Sequence, residues 1–426
     1  MKNLSKIFII LLAFLNIEDS KANTLIESLN SAYLNNPKLN AERANMRASK
    51  EEKREAISEF LPSITISGYV SEQENTIPGD NTNFEPSEQS LKVEQKIFQG
   101  GAGVAKFLKQ KHGQSLGEYK LKKIEQEILL EAVEAHADLL LSMKKVNINL
   151  MNVDLLERQV ETDQNRLEKG EINLTDLAQS ESSLAGANAN LIKAKTELQA
   201  SKTNFERIIR EKAPSLINTN EKVAVELPNT LQEAINVAKL NNLDLLIAKL
   251  DYQIAEKDLN IEKAKLSPSA SINYSKSSNR DYSSTVDELD EETVKATINW
   301  PIIKGGENIS SIKKSSLRRQ RSLLLSKDAE NRVITETTNA WSKYQSSESV
   351  LIATEAQLKA AEIANEGITL EYDSGNTRTT LEVIQSRSLL LDSRIAFAKA
   401  ERDFMISKFE LAFQLGTLSS SSIKSL

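Results

Sequence analysis

Hydrophobic residues in two long parts of the chain recur at helical spacing. Residues 102–169 contain no proline, and from Ile124 to Val160 the apolar positions advance in ten steps over 36 residues, a mean of 3.6. This period predicts one nearly straight helix, with a length of roughly 100 Å for about 68 residues. The helix is predicted to end at Gly170, and a second helix follows over 174–211. The pattern returns later and predicts helices over 308–373 and 379–415.

Four short segments instead alternate between apolar and polar residues, which is typical of strands with two different faces. They are Ser63–Val70, Ser90–Phe98, Ser269–Lys276 and Thr293–Trp300. In the second segment Lys92, Glu94 and Lys96 share one face, which suits a barrel with lipid outside and water inside better than a buried sandwich. The residues between the strands of each pair are predicted to be loops, a polar one over 71–86 and a very acidic one over 287–292.

The second half of the chain repeats the first at an offset of 205 to 206 residues. A shorter helix, interrupted by an Asn-Asn pair, precedes the strands in each half, over 24–58 and over 230–265. Matched motifs keep their order and spacing: Asn35-Asn36 with Asn241-Asn242, Leu61-Pro62-Ser63 with Ser267-Pro268-Ser269, and Gly100-Gly101 with Gly305-Gly306. A repeat this long indicates duplication of a whole structural unit. The predicted units are 23–213 and 230–418, with a linker over 214–229 and a flexible tail over 419–426.

Composition and the N-terminus limit where the protein works. Residues 1–22 have two lysines, a nine-residue apolar run and small residues before the predicted cleavage point after Ala22, which is the pattern of a secretory signal. The net charge of −6 argues against nucleic acid as a partner, and the absence of cysteine excludes disulfides and thiolate metal sites. No later segment is apolar enough for a transmembrane helix, so any membrane crossing would be made by strands.

The number of strands has a consequence for assembly. Four strands cannot close a barrel, and an open strand edge is not tolerated in lipid, so the chain is predicted to oligomerise. Three copies would supply 12 strands, enough for a water-filled tube. The alternative is a soluble periplasmic coiled-coil scaffold or adaptor, which long amphipathic helices alone would also fit, but which would not need duplicated strand pairs.

In both halves the sequence resembles the TolC-like outer-membrane efflux proteins. The resemblance rests on the Leu-Pro-Ser and Ser-Pro-Ser strand entries, the Gly-Gly strand exits, the Thr175-Asp176-Leu177 and Thr377–Val383 segments, and Leu415–Leu418. It implies a mainly α fold with a β-barrel: a homotrimer in which long helical hairpins form an α-barrel across the periplasm and four strands per chain complete a 12-stranded barrel in outer-membrane lipid. It also implies docking to a periplasmic adaptor and to an inner-membrane transporter or secretion ATPase.

The resemblance also implies where the channel is gated. In the family an acidic residue of the first hairpin tip bonds an arginine of the second, and these positions match Asp176 and Arg378. A carboxylate ring lines the aperture, where Glu382 matches one position and the uncharged Gln385 the other, which weakens the expected cation selectivity. Gly170 and Gly375 mark the two tips and are predicted to dock the adaptor. The alternative for each charged residue is ordinary helix-end decoration.

No pattern of residues predicts catalysis, a cofactor or a metal. Only two histidines are present, His112 and His136. His136 has Glu134 and Asp138 nearby in sequence, but residues two apart on a helix point away from each other. His136 is therefore predicted to lie on a solvated helix face. The sequence predicts a passive exit duct for efflux or type I secretion, and it does not indicate the cargo.

Overall fold

The computed structural model describes residues 24–77, 80–215, 217, 223–283, 286–374, 378–419 and 424–425. The predicted signal segment, 1–22, lies outside the described residues. So does Gly375, the predicted second hairpin tip.

Eight α-helices in the described part of the chain confirm the predicted helical segments to within a few residues. They are α1 (Leu25–Asn35), α2 (Pro37–Ser58), α3 (Ala102–Glu168), α4 (Leu174–Ile209), α5 (Leu231–Asn241), α6 (Leu243–Ala264), α7 (Glu307–Asp373) and α8 (Thr380–Leu415). Thr24 begins α1 with a capping box, in which its hydroxyl and the Glu27 carboxylate satisfy each other's backbone N–H groups. No helix in the described chain has the length and apolar content to cross a membrane.

The strands extend further than the sequence pattern indicated. They are β1 (Ser63–Val70), β2 (Gln73–Ile77), β3 (Asp80–Phe84), β4 (Ser87–Gln99), β5 (Val223–Ala224), β6 (Ser269–Ser283), β7 (Val286–Asn299) and β8 (Lys424–Ser425). The predicted loop over 71–86 is wrong for the most part, because β2 and β3 pair there. The predicted acidic loop over 287–292 is wrong as well, because these residues belong to β7. Backbone pairing with β6 and the ion pair between Arg280 and Glu288 offset the repulsion of that acidic run.

The main sheet has four antiparallel strands in the order β1-β4-β6-β7. Directly opposed residues share a face, and one row of them across the sheet is apolar: Ile64, Val93, Tyr274 and Val294. The adjacent row is polar: Thr65, Lys92, Ser275 and Thr293. Ile64 and Val294, at the two ends of the apolar row, are 67% and 73% exposed. The prediction of one apolar and one polar face is thus confirmed.

Equivalent hydrogen bonds in the two halves confirm the duplication. The side-chain amide of Asn36 donates to the carbonyl oxygen of Ile208 at 3.2 Å, and Asn242 donates to that of Gln414 at 2.8 Å. The hydroxyl oxygens of Ser142 and Ser201 lie 2.8 Å apart, as those of Ser347 and Ser407 lie 2.7 Å apart. The Asn-Asn interruptions therefore have a structural purpose, since each holds a short helix against the C-terminus of a long one.

Contacts divide the chain into two units, each of which draws on both halves. The described parts of 1–40, 124–242 and 334–426 form one unit, and 41–123 and 243–333 form the other. In the first unit α1 packs against α4 and α5 against α8. Its core contains the fully buried Phe205 and Phe409. The second unit contains the main sheet.

The predicted apolar stripe of α3 is correct at most positions and wrong at Leu150. Val153 and Leu156 are buried against Ala187 and Leu191 of α4, with Val146 packed at the edge of this cluster. Leu150, in contrast, is 51% exposed, and the neighbouring Asn149 is buried. After Val146 the seam continues to Asn149 and Val153, whereas the predicted stripe continued to Leu150 and Val153. The prediction therefore placed Leu150 in the buried seam, although Leu150 is exposed.

Candidate functional site at the hairpin tips

The first hairpin tip joins α3 to α4. Gly170 adopts a φ of 75°, in the left-handed region that ends a helix. Its N–H donates to the carbonyl of Leu167, and the N–H of Glu171 donates to that of Arg166, each at 2.9 Å. These two bonds form a Schellman motif, which satisfies carbonyls that the end of α3 would otherwise leave unpaired. The sequence prediction of a turn at Gly170 is confirmed, and its docking function stays a prediction.

Asp176 begins the second helix of this tip. Its N–H donates a hydrogen bond to the side-chain oxygen of Asn173 at 3.0 Å, and its own carboxylate accepts from the Asn173 N–H at 3.3 Å. The pair forms a capping box, and the carboxylate lies where the helix dipole favours negative charge. No ion pair joins Asp176 to Arg378 among the described residues of one chain.

The second tip begins α8 with the same device, 206 residues later. Thr379 is the N-cap, and Glu382 completes the capping box by accepting from the Thr379 N–H at 2.8 Å. Asp176 and Glu382 therefore occupy equivalent positions in the duplicated hairpins. The pKa of the Glu382 carboxyl is lowered, first by the hydrogen bond from the Thr379 N–H and next by the hydrogen bond from the Arg378 side chain.

Arg378 connects the two helices of the second tip. Its Nε donates to Glu371 of α7 at 2.6 Å, and its Nη1 donates to Glu382 of α8 at 3.0 Å. The bond to Glu371 is the main reason why the pKa of Arg378 is raised. The structure thus brings together two of the four predicted gate residues, Arg378 and Glu382. Gln385 is exposed one helical turn further along α8.

A buried polar cluster near the tips was missed by the sequence analysis. The carboxylate of Asp163, on α3, is fully buried and accepts hydrogen bonds from Gln159 at 2.9 Å, from Ser180 at 2.5 Å and from the Tyr372 hydroxyl at 2.9 Å. The Tyr372 hydroxyl also lies 3.1 Å from that of Thr380. We call these five residues the Asp163 cluster. It joins the first hairpin to the second through residues that are 209 positions apart.

The cluster is arranged for an ionised carboxylate. Both oxygens of Asp163 accept hydrogen bonds, which a charged carboxylate satisfies best. Burial is the largest cause that raises the pKa of Tyr372, so its hydroxyl keeps its proton and remains a donor. The Arg166 guanidinium lies 4.6 Å from the centre of the Tyr372 ring and supplies a compensating positive charge. One signal was available in the sequence, since Asp163 continues the buried seam of α3 seven residues after Leu156.

His136 is not on a solvated helix face, and that prediction is wrong. It is 2% exposed, its Nδ1 lies 3.0 Å from the hydroxyl of Ser28, and its ring lies 6.4 Å from that of Phe205. Helix α1 covers this face of α3, which the pattern of α3 alone could not show. Burial lowers the pKa of His136 to about 4, so the ring is neutral near pH 7. In the described residues no three His, Asp or Glu side chains are grouped as a metal site would require.

Comparison with known proteins places these features in a family. The family model described as outer membrane efflux protein matches residues 28–209 and 234–417, that is, both repeats. The chain is 25% identical to the outer membrane efflux protein BepC of Brucella suis over 404 residues, covering 93% of this chain and 86% of BepC. It is 22% identical to the outer membrane protein TolC of Escherichia coli over 420 residues, covering 96% and 85%.

A solved structure has the same fold. The Campylobacter jejuni CmeC outer membrane channel superimposes with a TM-score of 0.81 at 14% identity, covering 93% of this chain and 87% of CmeC. The family match to both halves sets aside the alternative of a soluble scaffold. The chain therefore belongs to the outer membrane efflux protein family and is an export channel of the outer membrane.

Proposed function

We propose that three copies of this chain form a passive exit duct, open from the periplasm to the outside, for a tripartite efflux or type I secretion system. The observation that carries this proposal is the pair of open edges on the main sheet. In the described chain β1 pairs only with β4, and β7 only with β6. Both edge strands carry exposed apolar residues, and open edges in lipid require a partner strand. A closed ring of three copies pairs β7 of each copy with β1 of the next.

The hairpin tips are the end of the duct that meets its partners. Gly170 and Gly375 dock a periplasmic adaptor, which joins the duct to an inner-membrane transporter or secretion ATPase. The cargo passes through without chemical change. Its selection, whether small molecules or polypeptides, belongs to the inner-membrane component.

The tips also form the gate. In the ring, Arg378 of one copy lies near Asp176 of a neighbour, and Glu382 and Gln385 line the aperture. Exposed ion pairs are each worth roughly 0–1 kcal/mol, so three symmetry-related pairs bias the closed state by at most about 3 kcal/mol. An adaptor overturns a bias of this size with a comparable difference in affinity for the open state. A weak latch therefore suits a duct that opens only when its partners are bound.

The assembly and the gate are tested separately. Native mass spectrometry of the detergent-extracted protein measures the number of copies, and a monomeric particle would contradict the duct. Single-channel conductance in planar bilayers then compares wild type with Arg378→Gln, which we expect to conduct more. Arg394→Gln is the matched control, because Arg394 also joins α8 to α7, through Glu362 at 3.3 Å, but lies well away from the tip. Equal conductance of both variants and wild type would remove Arg378 from the gate.

The selectivity of the aperture has its own test. Glu382→Gln removes a negative charge from the aperture and is expected to lower the preference for cations, measured as a smaller reversal potential in a salt gradient. Gln385→Glu restores a second carboxylate one turn further along α8 and should raise the preference. A reversal potential that neither variant moves would place both residues outside the pore lining.

A further inference from the structure

Two ion pairs within the chain join helices that are attached to neighbouring strands of the main sheet. Helix α3 leaves strand β4, and α6 enters the adjacent strand β6. These two helices are joined by Lys109–Asp258 at 2.8 Å and by Lys123–Asp244 at 2.5 Å. In the second unit, therefore, the helix that follows one strand pairs with the helix that precedes the neighbouring strand of the main sheet.

The duplication assigns an equivalent to each of these helices. The Gly-Gly pairs before α3 and α7 differ by 205 residues, and the Asn36–Asn242 and Pro62–Pro268 matches relate α2 to α6 by 206. The equivalent of the α3–α6 pair is therefore α7 with α2. Helix α7 leaves β7 and α2 enters β1, which are the two open edges of the sheet. In a ring of copies, where β7 meets β1 of the next copy, α7 meets α2 of that copy.

The charges at the equivalent positions remain complementary. Lys109 and Asp258 correspond to Lys314 and Glu52, with the same signs. Lys123 and Asp244 correspond to Asp328 and Lys38, with both signs reversed. A change of only one member would have placed like charges opposite each other, and like charges repel. Because both members of the second pair differ in sign from their equivalents, they can still form an ion pair across this interface.

The exposed surface of α7 fits the same interpretation. Lys314 and Asp328 are exposed on α7 and Glu52 on α2, and none of the three forms an ion pair with a described residue. On α7, Leu317 and Leu324 are both 57% exposed, and they lie on the length of helix between the two charged positions. Their equivalents in α3, His112 and Tyr119, are half-buried. The surface between the two charged positions is therefore uncovered on α7, where it carries two leucines, and partly covered at the equivalent positions of α3.

We propose that α7 of one copy docks on α2 of the next through two ion pairs, Lys314 with Glu52 and Asp328 with Lys38, with Leu317 and Leu324 buried between them. This inference rests on the proposed ring of copies and specifies its register. Lys38 contacts Glu127 at 3.0 Å within its own chain, so it bridges the two copies. The two pairs lie 14 residues apart on each helix, roughly 21 Å, and together they fix the alignment of the two helices.

The absence of cysteine makes the register directly testable. Cysteines are introduced in pairs in the full-length protein, extracted from outer membranes, and treated with a short bismaleimide crosslinker. Glu52→Cys with Lys314→Cys, and Lys38→Cys with Asp328→Cys, should give crosslinked dimers and trimers on denaturing gels. The mispaired controls, Glu52→Cys with Asp328→Cys and Lys38→Cys with Lys314→Cys, use the same four sites at the wrong register and should remain at the monomer position.

Charge exchange tests whether the contact stabilises the assembly. Lys314→Glu and Glu52→Lys should each lower the temperature at which the trimer dissociates in detergent, and the double variant should restore it. The register would be overturned if the protein were a trimer by native mass spectrometry but its correct cysteine pairs crosslinked no better than the mispaired ones, or only within single chains. That result would leave the duct intact. A particle that is monomeric by mass would instead overturn the proposed ring and this inference with it.

Discussion

The Asp163 cluster makes the sharpest prediction about the hairpin tips. Tyr372→Phe removes one hydroxyl and leaves the ring, its packing and its contact with Arg166 in place. The hydroxyl donates to Asp163 at 2.9 Å and lies 3.1 Å from the Thr380 hydroxyl. Since Tyr372 is 4% exposed and Asp163 is fully buried, water does not readily replace the missing donor. The variant thus loosens the connection between α7 and α3 without disturbing either helix.

The size of the effect follows from the charge of the acceptor. A hydrogen bond to an ionised group contributes about 1.5–3 kcal/mol, more than one between neutral groups. Every 1.4 kcal/mol changes an equilibrium tenfold, so the variant should raise the population of locally opened tips roughly ten- to a hundredfold. The core around Phe205 and Phe409 keeps its own contacts, so local opening elsewhere in this unit should not change.

Hydrogen–deuterium exchange measured by mass spectrometry reports this local opening. Peptides that contain the ends of α3 and α7 should exchange faster in Tyr372→Phe, while peptides from α1 and α5 keep their wild-type rates. Tyr344→Phe is the matched control, because Tyr344 is on the same helix and its hydroxyl forms no hydrogen bond with a described residue. If the tip peptides of Tyr372→Phe exchanged no faster than those of Tyr344→Phe, the cluster would not hold the two hairpins together.

Three further predictions concern other parts of the first unit. His136 has a pKa of about 4 in the folded protein and near 6.5 in the unfolded chain. The free energy of unfolding should therefore fall as the pH drops through this window, by about 2 kcal/mol at pH 5. In chemical unfolding, the free energy of unfolding of His136→Gln should depend less on pH. Gly416→Ala should lower stability by about 2–4 kcal/mol, because φ is 72° and a Cβ would lie 2.2 Å from the Asn241 carbonyl oxygen. At the equivalent position, Arg210→Gly should instead raise the unfolding temperature slightly, since Arg210 has a φ of 68°, and an unchanged or lower value would contradict the strain argument.

The sequence by itself determined the elements and their duplication. The stripe of α3, the alternation of β1 and β4, and the repeated Asn-Asn and Gly-Gly pairs depend on local periodicity and backbone preference, which neighbouring residues express directly. The capping boxes at Asn173 and Thr379 follow the same local logic. The stripe, the alternation and the repeated pairs were predicted within a few residues of where the structure places them, whereas the capping boxes were not predicted.

The sequence prediction was wrong where the composition of a segment and its pairing with another strand favour different structures. The acidic run over 287–292 was predicted to be a loop, because its charges disfavour a strand when it is considered alone. In the structure it lies in β7, where residues 288–292 gain backbone partners on β6 and Glu288 also gains Arg280. Strand formation depends on the partner strand, and the period of a single segment does not contain that information.

Only the tertiary structure decided the contacts between distant parts of the chain. It buried His136 under α1, and it brought Tyr372 to Asp163 across 209 positions. It also gave Arg378 two partners, Glu371 and Glu382, of which the sequence analysis had singled out only Glu382 and had paired the arginine with Asp176 instead. A period along one helix shows which face is apolar, but the identity of the residue that meets that face depends on how the helices pack, and packing is a property of the whole fold.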